Sequence, residues 1–96
     1  MNTGINPNVI EEIRAFARLH EIEQVLLFGS RARGDFRRTS DIDLAVRGGD
    51  YFRFALDVDE ETSTLLMYDI VNLDGAVSGE LRESIEREGI VLYEKV

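Results

Sequence analysis

The 96 residues fall near the lower end of the roughly 100–200-residue single-domain range, and a composition 44% hydrophobic and 31% charged supplies a core while excluding a disordered tail. Nineteen acidic against eleven basic residues give a formal charge of −8, which argues against direct DNA binding and against an anionic membrane surface. No cysteine and a single histidine exclude a disulfide framework and a thiolate zinc site, so any metal would be a hard, oxygen-bound cation.

In chain order, Asn6 before Pro7 predicts a helix start, since Asn caps free N–H groups and Pro tolerates the first turn. Val9, Ile13, Phe16 and Leu19 then recur at helical spacing, to about His20. Val25 to Phe28 is a short apolar run ended by Gly29, as expected of a strand buried on both faces. Ser30 is placed to cap a helical turn through Ala32 that Gly34 stops, and Asp35 to Ser40 reads as loop. Ile42, Leu44 and Val46 alternate with Asp41, Asp43 and Ala45, the period of a second strand, which ends at Gly48 and Gly49. Asp50 caps a helix over Tyr51 to Glu61, and Met67 to Leu73 forms a third strand with Asp69 and Val71 on one side. Ser78 opens a last helix, with Leu81 and Ile85 four apart, Glu83 facing Arg87, and Gly89 as a left-handed stop. Ile90 to Tyr93 closes the chain as a strand. The predicted fold is α/β of palm-like α+β type: a single domain over residues 1–96 with a roughly four-stranded mixed sheet and helices packed against it.

The segment from Gly29 to Val46, GSRARGDFRRTSDIDLAV, carries the chemistry. Gly29 and Ser30 lie where a buried strand turns into a helix, a place where backbone N–H groups and a hydroxyl can meet a phosphate; such a pair is more often an ordinary turn. Asp41 and Asp43, two apart on a strand, share one face with Cα atoms roughly 6.6 Å apart, a reach that suits two divalent cations at ~3.5–4 Å. A wet edge strand would equally tolerate such a pair. Between turn and acids lie Arg31, Arg33, Arg37 and Arg38. Gly29 to Ser40 holds four Arg and one Asp, a charge of +3, so the other 84 residues carry −11. Cations along a polyphosphate beside carboxylates for a metal give this division an electrostatic sense. A solvated loop paired with the acidic remainder is the alternative.

Gly29 and Ser30, ten residues, then Asp41-Ile42-Asp43 resemble the GS-x10-D-x-D signature of the DNA polymerase β-like nucleotidyltransferases, and GSRARG with SDIDLAV looks most like the minimal nucleotidyltransferase (MNT) subgroup. The resemblance implies a nucleotidyltransferase fold and a third carboxylate on a later strand. Asp69, inside an apolar strand, is favoured over Asp74, which precedes Gly75 and reads as turn. It implies further that Asp41, Asp43 and Asp69 are catalytic and hold two Mg2+ ions. Gly29 and Ser30 would bind the nucleotide phosphates, with Arg33 as a further phosphate contact. The implied reaction moves AMP from ATP to a hydroxyl. MNT proteins are typically antitoxins paired with a small helical HEPN ribonuclease, a tyrosine of which they adenylylate, so a HEPN-type toxin is the expected partner. A small-molecule transferase and a non-catalytic antitoxin acting by complex formation are the alternatives. No run reaches the ~18–20 apolar residues of a membrane span, so a cytoplasmic protein without a membrane role is expected.

His20 is expected to complement the dipole of its helix, Tyr51, Phe52 and Phe54 to face core or partner, and Glu80, Glu83, Glu86 and Glu88 to form a solvated helix face.

Overall fold

The computed structural model describes residues 2–96. Four helices and four strands alternate: α1 (Pro7–Leu19), β1 (Gln24–Phe28), α2 (Ser30–Arg33), β2 (Ile42–Arg47), α3 (Tyr51–Glu61), β3 (Tyr68–Asn72), α4 (Gly79–Glu88) and β4 (Ile90–Glu94). The strands form one mixed sheet in the order β3-β2-β1-β4, in which β2 and β3 are parallel and the other pairs antiparallel.

Three helices begin on the capping residues the sequence offers. Asn6 accepts from the Asn8 N–H at 2.8 Å, Asp50 from Arg53 at 3.2 Å and Ser78 from Leu81 at 3.2 Å, each supplying an acceptor to an otherwise free amide. Val9, Ile13 and Ala17 of α1 and Phe54 and Val58 of α3 then pack on one face of the sheet, against Val25, Leu27, Ile42, Leu44 and Val46. Full burial of each larger side chain stabilises by about 1.5–3 kcal/mol, so this layer is the main core. The opposite face is covered more sparingly: Ile85 of α4 packs with Leu26, Phe28, Ala45 and Leu73. β1 is therefore buried on both sides, whereas the β2–β3 end of the second face stays open.

Three local expectations are corrected. Gly89 is extended, φ −64° and ψ 141°, because β4 starts at the next residue and a left-handed turn would break that join. A Cβ at Gly89 would strike the Ile85 carbonyl oxygen, so glycine serves close packing there. Glu83 does not pair with Arg87; Arg87 lies 3.6 Å from Glu88, which also accepts from Arg33. Ser30 is the first residue of α2 instead of its cap, a place taken by Gly29. His20 meets Asp57 of α3 at 2.6 Å, so it joins two helices in addition to ending one. Among the aromatics, Phe54 is fully buried and Phe52 is exposed.

The fourfold positive island is also divided. Arg31 is 1% exposed, with Nε donating to the Ser40 carbonyl (3.0 Å), Nη1 to Thr3 (2.9 Å) and Nη2 to Arg38 (3.2 Å) and Arg37 (3.4 Å). The ring of Phe36 lies 5.0 Å from its guanidinium carbon, so the cation is enclosed by carbonyl dipoles and an aromatic face. Arg31→Met keeps the apolar stem but strands these carbonyls, and is expected to destabilise the chain by roughly 2–4 kcal/mol. Urea unfolding checks this; an unchanged midpoint would show that the buried guanidinium contributes nothing.

Candidate active site

β1 ends at Phe28, and Gly29 turns the chain at φ 75° and ψ −158°, a region that side-chain-bearing residues rarely adopt. A Cβ there would land on the Asp43 carboxylate oxygen. The bare α-carbon of Gly29 is thus what lets the end of β1 lie against Asp43, its antiparallel neighbour through the Phe28–Asp43 register. Ser30 follows at once and opens α2, where the first amides have no intrahelical partner. Only four residues long, α2 has little macrodipole, so any anion there would rely on local N–H groups and the hydroxyl.

The loop from Gly34 to Asp41 returns the chain to β2. Arg31 holds this loop by its own carbonyls, and Ser40 Oγ accepts from the Arg37 N–H at 2.8 Å. Asp41 is exposed just before β2; Asp43 lies two residues on, half-buried, on the open face with Ala45. Across the parallel pair, Asp69 is the direct register partner of Asp43 and is exposed on β3. Adjacent strands are ~4.8 Å apart, so the three carboxylates gather at the N-terminal ends of β2 and β3.

Asp74 is engaged elsewhere. Its Oδ2 accepts from the Gly48 N–H at 2.7 Å, at the far end of β2, while its own N–H donates to Asn72 Oδ1 at 3.0 Å. Asp74 is therefore a turn residue, and Asp69 alone of the two faces Asp43. Arg33 is exposed and ion-paired to Asp35 at 3.3 Å and Glu88 at 3.1 Å, which joins α2 to α4. A phosphate contact from Arg33 would have to displace these partners, and Glu88 is drawn from the expected solvated face.

The electrostatics single out Asp43. Burial first, then the charges of Asp69 and Asp41, push its carboxyl up to about 6, against a smaller opposing pull from Arg33 and Arg31. Three acids with so little internal compensation fit a cation. Among the described residues no three carboxylate, imidazole or thiol groups close on one point as a complete cage. Sequence reasoning missed Arg31 as the residue that fixes the site's loop, because a positive run carries no sign of which guanidinium is buried.

The family model "Polymerase beta, Nucleotidyltransferase" matches residues 11–96. A relative from Methanocaldococcus jannaschii, named "Putative protein adenylyltransferase MJ0604", is 34% identical over 82 residues, covering 75% of this chain and 79% of the relative. Among solved structures, a chain of a toxin–antitoxin crystallised with AMP-PNP superposes with a TM-score of 0.72 at 26% identity, covering 95% of this chain and 75% of that one. A chain of a mutant of the toxin–antitoxin MntA-HpeT does so with a TM-score of 0.67 at 25% identity, covering 95% and 74%.

The raised Asp43 pKa has a definite sign for stability. The folded state holds this proton more tightly than the unfolded one, so the contribution of Asp43 to stability is fully present below about pH 4 and is lost as pH rises through about 6. Without metal, Asp43→Asn should therefore raise the melting temperature at pH 8 by a few degrees and leave it nearly unchanged at pH 4. Mg2+ with a nucleotide should stabilise the wild type at pH 8 and not the variant. Thermal melts at both pH values check this, and a variant less stable at pH 8 would contradict the assigned repulsion.

Proposed function

Because the chain belongs to the polymerase β nucleotidyltransferase family, we propose that it transfers AMP from ATP to a tyrosine hydroxyl of a partner ribonuclease toxin of HEPN type, and so acts as an antitoxin. The observation that carries this reading is the placement of Asp69 opposite Asp43, beside the Gly29–Ser30 turn. Two features of the comparisons support it: the relative is named a protein adenylyltransferase, and the solved neighbour was crystallised with an ATP analogue in a toxin–antitoxin.

In this mechanism Asp41, Asp43 and Asp69 would hold Mg2+. Mg2+ bound there would neutralise triphosphate charge and lower the pKa of the attacking hydroxyl. The Ser30 hydroxyl and nearby amides donate to the outer phosphates and fix the α-phosphate for attack in line with the departing pyrophosphate. The acceptor oxygen forms a bond to the α-phosphorus, the bond to the β-phosphate bridging oxygen breaks, pyrophosphate leaves, and the hydroxyl proton passes to solvent. Positioning and charge neutralisation supply most of the rate. The carboxylates lie on an open sheet face at the β3 edge, and Asp41 and Asp69 are exposed. Such a face favours a protein acceptor over a small molecule, which needs a concave site.

Incubating the purified chain with the product of the adjacent gene, ATP and Mg2+ should add one or more adenylyl groups to a tyrosine of that product, read by mass spectrometry. Asp43→Asn and Asp69→Asn should each reduce transfer by at least about 100-fold, the scale of losing a group that acts in the transition state. Asp74→Asn, a turn substitution, should retain most of it. Transfer that survives Asp69→Asn but not Asp74→Asn would overturn the assignment of the third carboxylate.

A further inference from the structure

The sheet has a free edge at β3, and the face of α3 beside it is apolar and uncovered. Phe52 is 78% exposed, Leu56 one turn later 55%, and Met67 at the foot of β3 67%. With Tyr68 and Ile70 they line an open groove of ≈ 520 Å³ between the helix and the strand. Side chains four apart on a helix are neighbours on one face, so Phe52 and Leu56 form a contiguous apolar patch that nothing in the described chain covers.

The electrostatics of α3 point to the kind of occupant. Its last turn carries Asp59, Glu60 and Glu61 and no basic residue. Negative charge at a helix C-terminus is unfavourable, and none of these three carboxylates has an ion-pair partner among the described residues. A cation from outside would relieve that repulsion. A second copy of the chain fits poorly, since a twofold contact through this groove would bring two such acidic turns together. Strand addition also fits poorly. The Tyr51 hydroxyl donates to the Ile70 carbonyl at 2.6 Å and takes an acceptor that an added strand would need.

The groove and the carboxylate cluster lie on opposite faces of the edge strand, since Tyr68 and Ile70 alternate with Asp69 along β3. The Met67 carbonyl accepts from the Ile42 N–H at 2.9 Å, which places the foot of the groove beside Asp41 and two residues from Asp69. We infer that the α3–β3 groove docks an amphipathic, basic-flanked helix of the acceptor protein, with apolar side chains on Phe52, Leu56 and Met67 and cations against the last turn of α3. This rests on the reading that the acceptor is a protein. It adds where that protein is held while its hydroxyl reaches round the β3 edge.

The test uses calorimetric binding of the purified adjacent-gene product, with adenylyl transfer measured in parallel. Phe52→Glu combined with Leu56→Glu should weaken binding by at least about tenfold and lower transfer at limiting acceptor. Mg2+-dependent ATP binding by the same variant should stay as in the wild type, which shows that the fold is intact. Asp59→Lys with Glu60→Lys should weaken binding less, and most at low salt. Unchanged binding and transfer in the Phe52/Leu56 variant would overturn the docking site while leaving the transferase reading intact. A groove-dependent complex without any transfer by the wild type would do the reverse. A wild-type dimer that the double substitution dissociates would show that a second copy covers the groove, and would overturn the proposal.

Discussion

The guanidinium of Arg31 lies inside the protein without a carboxylate beside it, held by carbonyls of Thr3, Arg37, Arg38 and Ser40. A buried charge is costly unless its donors are satisfied, so those carbonyls cannot drift without exposing a cation to an apolar interior. This one requirement fixes the loop between the Gly29 turn and the Asp41–Asp43 pair. It also ties the segment before α1 to that loop, since Thr3 is buried and Gly4 packs where a Cβ would strike Phe36. The Gly29–Ser30 turn and the acid pair are twelve residues apart in sequence, and Arg31 ties the loop between them.

The second constraint is charge against charge. Asp43 is pressed on the α-carbon of Gly29, flanked by two more carboxylates, and reached only weakly by the two arginines nearest to it. Under the proposed function, that uncompensated repulsion is what a cation arriving with the nucleotide would relieve. The net charge of −8 takes on a local meaning here. Eight of the nineteen acidic residues lie on α3 and α4, and three others, Asp41, Asp43 and Asp69, gather at the candidate site.

Much of this was legible in the sequence, for physical reasons. Capping at Asn6, Asp50 and Ser78 depends on a residue's own side chain and the next three amides, so local chemistry decides it. The period-two pattern placed Asp43 and Asp69 on one side of their strands, but the parallel register that makes them neighbours is a tertiary fact. The same holds for Arg33, whose partner Glu88 is 55 residues away, and for Asp74, whose role depends on the Gly48 amide across the sheet. A run of four arginines is the weakest case. Sequence shows the charge of Arg31 and not that it is enclosed, because burial depends on Phe36 and on the segment before α1 closing over it. The exposure of Phe52 beside a buried Phe54 was equally out of reach, since both are large apolar residues of one helix.

The central claim is that the carboxylate face directs attack at the α-phosphate of ATP. It is tested most directly by comparing ATP labelled at the α-phosphate with ATP labelled at the γ-phosphate, each incubated with Mg2+, the chain and the adjacent-gene product. The account predicts that α-label appears on a tyrosine of that product while γ-label leaves entirely as pyrophosphate. Label from the γ-phosphate on protein, or release of inorganic phosphate in place of pyrophosphate, would contradict it.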